Sequence, residues 1–425
     1  MSGKTELRIF DDCLPQVVAE SAIFQDVHPI TAIDGTSAVI DFKINGSTTE
    51  YLDLNDTLLS MRVKICKPDG TVFTKADATR PVPCNYFLNA LFSDVNLSLN
   101  DVQIEGGGSI YPYKATIESA LNFNDDAKRI QLLPAGVSSD DAERAKWVGD
   151  SIPFELVGAL RLDFLQQPKY LIPGVSVGIR LTRSKDEFAL QLPVGTNDDG
   201  SHAFKIMITQ CILYVRRVRV HPSVELGHKT GLTKKNAIYP YTRSKVITYT
   251  IPKGSQSCFK ENLFSAGLLP KFIVIAMVRT EGYTGALGHK PFDFQHFKLQ
   301  QLALHRDGQM IPYKRPYILT HATKYALITD AYVRSILQNT QILNTNNDNG
   351  IDLEDFSKKR YAFFTFNLTP DFDMNQVQQA RDANLRLEMH FNEALPNAIN
   401  VIAYGIFDAK IEITGDHRII TDAHS

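Results

Sequence analysis

The sequence predicts an all-β protein built from two tandem β-sandwiches, with short helices in the loops. Three observations favour this fold class. Apolar and polar residues alternate with a period of two in many short segments bounded by Pro, Gly and Asn, which is typical of antiparallel strands. The chain of 425 residues exceeds what one hydrophobic core usually organises, so two domains are expected. Finally, one pattern of a hairpin followed by a helix occurs twice, roughly 200 positions apart, as in a duplicated domain.

The first copy of this pattern lies in residues 85–123. Apolar residues alternate with polar ones on both sides of the Asn100-Asp101 turn, which predicts a two-residue hairpin: Val95, Leu97, Leu99, Val102 and Ile104. The glycine run 106–108 ends the second strand and is expected to act as a flexible hinge. After it, Tyr113, Ile117 and Leu121 stand four apart, which predicts a short lid helix that must pack on something to be stable.

The second copy begins with Leu302 and Leu304, which lead into Asp307-Gly308, a strong hairpin signal. Leu299 is out of phase with these leucines, so a bulge is predicted near Gln300-Gln301. Further on, Thr329 or Asp330 can cap a helix with apolar pairs four apart: Tyr332 with Ile336, and Val333 with Leu337.

The remaining strands divide the chain into five segments. The predicted boundaries are an N-terminal arm (1–35), a first sandwich (36–221), a basic connector (222–245), a second sandwich (246–415) and a C-terminal tail (416–425). The arm contains apolar residues without a clean period, among them Leu14, Val17 and Phe24, and is expected to lie across the domain or a neighbour. The clearest alternation in the chain is 384–391, with Leu385, Leu387, Met389 and Phe391 facing inward.

Composition excludes several classes of protein. The formal net charge of −2 gives no whole-molecule field that would attract nucleic acid or an anionic membrane. The five cysteines are scattered singly, which indicates buried thiols in a reducing compartment rather than disulfides or a zinc site. The N-terminus lacks the apolar core of a signal peptide, and no apolar run reaches transmembrane length, so synthesis in the cytosol is expected.

Motifs of catalysis are also missing from the sequence. There is no G-x-S-x-G elbow, no phosphate-binding G-x-x-x-x-G-K-[ST] loop and no H-E-x-x-H pair, and the eleven histidines include no H-x-H pair. Adjacent carboxylates such as Asp140-Asp141 cannot face one reacting bond from opposite sides. We therefore expect no enzyme activity, no metal and no cofactor.

One local concentration of positive charge remains. Arg216, Arg217 and Arg219 precede the connector, which carries Lys234, Lys235, Arg243 and Lys245 among its basic residues. Such a stretch can contact phosphates, although solvated connectors are often charged without any such role. Tyr239 and Tyr241 flank Pro240, which favours an extended linker over a platform for stacking bases.

Three stretches carry a resemblance to a known family: "DLNDTLLSMRVKI", "NYFLNALFSDVNLSLND" and "YPYKATIESALNF". Over about residues 50–123 they resemble the double jelly-roll major capsid proteins of Maverick/Polinton-type elements and adintoviruses, and related proteins of animal genomes. The resemblance implies two tandem jelly rolls of about eight strands each. It also implies trimers with a pseudo-hexagonal footprint that tile an icosahedral shell, alongside a single jelly-roll penton or minor capsid protein.

On this resemblance the arm residues Leu14, Val17 and Phe24 would bind neighbouring subunits, and Lys234, Lys235, Arg243 and Lys245 would face packaged DNA. The protein would reside in the virion capsid after synthesis in the host cytoplasm. Two alternatives stay open on the residues alone. One is a non-viral two-domain β-sandwich module that binds carbohydrate or protein, and the other is a jelly-roll enzyme.

Overall fold

The computed structural model describes residues 18–74, 77, 79–196, 198, 200, 202–264, 268–320, 328–343, 345, 347–358, 360–372 and 382–421. Strands of the first half are β1 Ala19–Val27, β2 Val39–Ile44, β3 Glu50–Cys66, β4 Val82–Pro83, β5 Phe92–Leu99, β6 Val102–Glu105, β7 Phe154–Ala159, β8 Val177–Arg183, β9 Leu190–Gln191 and β10 Lys205–Val220. Its helices are α1 Phe87–Ala90, α2 Tyr111–Asn122, α3 Asp125–Ile130, α4 Asp141–Val148 and α5 Asp186–Ala189. Short 3-10 turns occupy Leu133–Ala135 and Phe164–Gln166.

The second half begins with α6 Pro222–Leu232. Its strands are β11 Ala237–Ile251, β12 Ser257–Lys260, β13 Phe272–Arg279, β14 Leu299–Arg306, β15 Gln309–Ile311, β16 Tyr317–Ile318, β17 Phe364–Asn367, β18 Leu385–Phe391, β19 Ile399–Ile413 and β20 Ile419–Thr421. Its further helices are α7 Thr280–Thr284, α8 Thr329–Tyr332 and α9 Leu353–Lys358, and α8 continues into a π-helical turn, Val333–Gln338.

The two halves share one topology. In the first half the sheets have the strand orders β1-β10-β3-β7 and β2-β8-β5-β6, and all of these pairs are antiparallel. In the second half the orders are β11-β19-β13-β17 and β12-β18-β14-β15, to which the short strands β20 and β16 are added. In both halves the first strand pairs with the last long strand, and two sheets are wound as a jelly roll. The prediction of two tandem jelly-roll sandwiches is confirmed.

The core follows the alternation seen in the sequence. Every second residue of β18 is buried, at Leu385, Leu387, Met389 and Phe391, so the predicted inward face is confirmed. Strand β8 has the same pattern, because both strands lie inside their sheets with one face on the core.

Both predicted hairpins are present. Asn100 and Asp101 have φ angles of 45° and 65°, and Asp307 and Gly308 have 50° and 82°, as a two-residue turn with the strand twist requires. The predicted bulge is confirmed, since the register between β14 and β18 shifts between Leu299 and Gln301.

The structure corrects the expected arm and connector. Residues 19–27 of the arm form β1, an integral strand of the first jelly roll. The connector 222–245 is not an extended linker: it contains α6 and the first nine residues of β11, which pairs with β19 along its whole length. Sequence periodicity missed β1 and the first nine residues of β11 for one reason. Each lies at the edge of its sheet, where side chains are poorly buried and alternation is weak. The remaining domain boundaries stay predictions.

Three local expectations also need correction. The helix predicted after the first hairpin is α2, but it is no lid, because the ten residues 111–120 are all buried. The glycine run is not a hinge: Gly106 has a φ of 112° and no space for a Cβ beside Asn96, and the Gly107 amide donates to Asp94. In the second copy, Ile328 rather than Thr329 or Asp330 occupies the N-cap position, without a side-chain cap.

Candidate functional site

An exposed edge strand is the first candidate for function. Strand β1 lies at the edge of its sheet, and eight of its nine residues are exposed. The exposed fraction is 56% for Ile23 and 62% for Phe24. An edge strand of this length with apolar side chains is a template for association, and soluble monomers usually protect such edges with charge, proline or a covering loop. Strand β1 is therefore a candidate surface for contact with another subunit.

Of the predicted arm residues, Phe24 lies on β1 opposite Arg216 of β10. Leu14 and Val17 lie outside the described residues. Strand β1 is anchored by side chains as well as by its backbone: Arg217 donates from Nε to Gln25, and Arg219 lies 3.7 Å from Glu20. These bonds hold the strand in register and leave its apolar side chains exposed.

The basic residues do not form one patch. Lys234 and Lys235 are exposed in the turn after α6, whereas Arg243 and Lys245 are half-buried on β11. The two pairs are roughly 25 Å apart along the chain at the rise of a strand. The preceding arginines are partly neutralised, since Arg216 pairs with Asp53 at 3.0 Å and with Asp56 at 2.6 Å.

The two halves meet at a cluster of buried charges. Lys114 of α2 contacts Glu105 of β6, and its Nζ lies 2.9 Å from Asp163 Oδ1 and 4.0 Å from Glu118 Oε1. From the second half, the Tyr404 hydroxyl donates to Glu118 Oε1 over 3.0 Å. The backbone N–H of Ser244 also donates to Asp163 Oδ2 over 2.6 Å. The first half thus supplies the carboxylates, and the second half supplies two of the hydrogen-bond donors.

Burial shifts the pKa values in this cluster. Loss of solvation raises the pKa of Glu105 to about 7 and that of Glu118 to about 7, although nearby Lys114 lowers both. The surrounding carboxylates hold the pKa of the Lys114 ammonium above its usual range, against the opposing effect of burial. These shifts favour the charged form of the lysine and the protonated form of the two coupled glutamates.

An aromatic cluster extends the same junction. Tyr113 of α2 stacks on Tyr283 with the ring centroids 5.3 Å apart, and it meets Phe292 edge-on at 5.6 Å. Phe188 of the first half meets Phe292 at 5.8 Å. Helix α2 is therefore packed between the two halves, with aromatic contacts near its first turn and charges along the next.

A polar cavity of about 940 Å³ lies between the halves, on the side of α3 and α4. Lys128 lines it and donates to the backbone carbonyl of Asn349 over 2.6 Å, which ties α3 to the second half. Burial lowers the pKa of Lys128 to about 8. Both signs of charge line this cavity, including Asp293, Asp355 and Arg360. Such a lining does not select one ligand.

Within the part of the chain that the structure describes, no group of three His, Cys, Asp or Glu side chains could hold a metal ion. None of the described helices is long and apolar enough to span a membrane. Of the cysteines, Cys66, Cys84 and Cys211 are buried and Cys258 is half-buried, and burial raises the pKa of Cys84 to about 12. Thiols of this kind are weak nucleophiles.

Sequence reasoning missed the charge cluster entirely. Its members are far apart along the chain, and a charged residue in a sequence is by default expected to face water. One signal was available. Lys114 and Glu118 lie on the face of α2 one position after Tyr113 and Ile117, so a helix buried all round would bury them too.

This chain was compared with known protein families, sequences and structures. No protein-family model matches the sequence. An uncharacterized protein of Caenorhabditis elegans is 24% identical over 400 residues, covering 90% of this chain and 93% of that protein.

Solved viral structures share the fold. A chain of the Sputnik virophage, determined by cryo-EM, matches with a TM-score of 0.62 at 12% identity, covering 98% of this chain and 91% of the other. The mavirus major capsid protein matches with a TM-score of 0.58 at 12% identity, covering 99% of this chain and 93% of the other. The Faustovirus major capsid protein matches with a TM-score of 0.51 at 9% identity, covering 96% of this chain and 92% of the other. This chain therefore has the fold of viral double jelly-roll major capsid proteins.

Proposed function

We propose that the protein is a major capsid protein that builds an icosahedral shell around a DNA genome. One observation carries this proposal: the fold matches viral major capsid proteins over more than nine-tenths of both chains, with no large domain added or missing. A fold alone does not define function, but this one comes with an exposed apolar edge strand that a lone soluble module would normally protect.

The capsomer we propose is a homotrimer. Three chains with two jelly rolls each place six sandwiches around a threefold axis, which gives a pseudo-hexagonal outline suited to tiling a shell. Obligate contacts of this kind bury upwards of about 2,000 Å², so broad surfaces rather than a pocket would carry the function. Strand β1, with Phe24, is the surface we assign to such contacts, and intersubunit contacts of Leu14 and Val17 remain part of the proposal.

The finer assignment is to the Maverick/Polinton and adintovirus type. The similarity to a protein of an animal genome supports an origin in a resident element of that type. We further propose a single jelly-roll penton or minor capsid protein as a partner, the virion capsid as location and the host cytoplasm as the site of synthesis.

Contact with packaged DNA is proposed for Lys234, Lys235, Arg243 and Lys245. The exposed pair at the end of α6 is better placed to reach phosphates than the half-buried pair on β11.

Light scattering of the purified chain, followed by negative-stain imaging of the same peak, tests the capsid proposal. The expected result is a trimer of about three times 47.6 kDa with a hexagonal outline, or closed shells. A stable monomer at high concentration would overturn it. That outcome, joined by binding on a glycan array, would favour the sandwich binding module, and a stoichiometric bound metal would favour an enzyme.

A further inference from the structure

The buried cluster between the jelly rolls holds more acid than base. Three carboxyl groups, of Glu105, Glu118 and Asp163, surround the single ammonium of Lys114. One positive charge cannot balance three negative ones, so the four groups would carry a net charge of −2 if all were ionised. Uncompensated charge in a protein interior is costly, so such a site retains protons that the same groups lose in water.

Hydrogen bonds identify which carboxyl group is least compensated. Glu105 accepts from Lys114 and from the Asp163 backbone N–H, the latter over 2.8 Å. Asp163 accepts from Lys114, and from the Ser244 backbone N–H and hydroxyl. Glu118 accepts from Tyr404 through Oε1, but its buried Oε2 has no hydrogen-bond partner among the described residues. Of the three carboxyl groups, Glu118 is therefore the one whose protonation has the lowest free-energy cost.

Other charged or titratable groups approach the cluster from every neighbouring element. Among the described residues they include Asp94 on β5, Tyr111 on α2, Arg161 in the loop after β7, Tyr241, Arg243 and Lys245 on β11, and Tyr404 on β19. The Arg161 guanidinium lies over the Phe123 ring, 4.7 Å from its centroid, and the Arg161 backbone N–H donates to the Tyr111 hydroxyl over 3.2 Å. Arg243 and Lys245 line the adjoining cavity of about 270 Å³ together with Asp94, so they are partly screened by solvent.

We propose that the cluster is a proton-dependent clamp between the two jelly rolls, closed when Glu118 and Glu105 carry protons and weakened when they lose them. Glu118 and Asp163 both bond to the second half, through Tyr404 and Ser244 respectively. Unneutralised negative charge at this point therefore opposes the contact of α2 with β11 and β19. The inference concerns the chain itself and does not depend on the capsid role.

The direction of the pH effect follows from the shifted groups. Well below about pH 4, Glu105 and Glu118 are protonated in the folded and the unfolded chain, so they contribute nothing to the pH dependence. Between the ordinary carboxyl pKa and about 7, the unfolded chain loses these protons while the folded chain keeps them. Stability therefore falls as pH rises through this window and levels off above it. Lys114 contributes to the pH dependence of stability only above the usual pKa range of lysine, because its own pKa is raised.

The test compares the wild type with the variant Glu105→Gln/Glu118→Gln, in melting temperature from about pH 4 to about pH 8.5, a range that brackets the window. Glutamine keeps the shape of the side chain and removes its titration. We expect the wild type to lose at least about 2 °C more than the variant over this range. Glu155→Gln, on the exposed face of β7, is the matched control and should follow the wild type. Parallel wild-type and double-variant profiles would overturn the clamp.

A local measurement separates the clamp from a general loss of stability. Hydrogen exchange, corrected for intrinsic rate, is followed in α2 and in β18 at about pH 6 and about pH 8. Exchange in α2 should rise at the higher pH relative to β18 in the wild type, and this difference should disappear in Glu118→Gln. Equal changes in α2 and β18 would show that the junction does not respond to protons. This readout remains available if the double variant folds poorly.

Discussion

Leu387 lies in the interior of the second jelly roll, on β18 between β12 and β14. It has no exposed surface, so Leu387→Asp would bury a charge without a partner. We expect a loss of roughly 3–5 kcal/mol or failure to fold. The measurement is soluble yield and melting temperature. Val102→Asp makes the same kind of change at a position with 40% exposure and should cost far less. Native-like Leu387→Asp protein would contradict the assigned face of β18.

Gly106 permits a second test at a single residue. Its φ of 112° is strained for any other residue, and a Cβ would overlap Asn96. Gly70 has a φ of 85°, and none of the described residues lies within 4 Å of the place that a Cβ would take, so Gly70→Ala measures backbone strain alone, about 1 kcal/mol. We expect Gly106→Ala to lower the unfolding free energy by at least twice as much in urea titrations. Equal losses of unfolding free energy in the two variants would show that the loop around Gly106 accommodates a Cβ without additional cost.

At this scale, the sequence predicted buried apolar residues well and buried charged residues not at all. The four inward residues of β18 follow from alternation, because one side of a strand faces a core. Glu105 and Lys114 lie nine positions apart in different elements, and only tertiary packing brings them together. Neither periodicity nor composition carries that information.

Strand β1 and the first nine residues of β11 are the segments that alternation failed to predict. Both are first strands of their jelly rolls, and both lie at a sheet edge. The hairpins were predicted correctly because turn residues with positive φ are a local signal. Pairing of a first strand with a last strand, across nearly 200 residues in β1, is a non-local contact with no local signal.

If β1 is a subunit contact, charge on its apolar side chains should prevent assembly without unfolding the chain. Ile23→Asp/Phe24→Asp is expected to shift the protein from trimer to monomer in light scattering, while circular dichroism shows that the monomer is still folded. The side chains are exposed in the single chain, so their replacement costs little there. Val194→Asp, at an apolar position with 82% exposure, is the control. If the double variant still forms trimers, β1 is not part of the subunit interface.

The whole molecule was predicted as a duplication, and the common strand order of the halves confirms it. What could not be predicted is how the halves join. The long polar segment between the first hairpin and β7 forms α3 and α4, which border the cavity between the halves, and α2 packs into the junction itself. A helical pattern identifies such elements but does not say which surface each one covers.

The proposed genome contact would be a property of the assembled particle. Replacement of Lys234, Lys235, Arg243 and Lys245 by Ala should lower the DNA content of particles, read as the ratio of absorbance at the nucleic-acid and protein maxima, and leave shells intact. We expect Lys234→Ala/Lys235→Ala to cause most of the loss, because these side chains are exposed. Lys253→Ala, at another exposed lysine, is the control. Unchanged DNA content would exclude this surface.

The pairing of β1 with β10 has a consequence for synthesis on the ribosome. Val220, which pairs with Ala19, is made roughly 190 residues after β1 ends at Val27, a delay of roughly 10–40 s at ordinary elongation rates. Throughout this interval the nascent chain carries the apolar strand β1, whose pairing partner β10 has not been completely synthesised. Translation thus sets the moment at which the first jelly roll can close, and chaperones that bind the emerging chain would act before that moment.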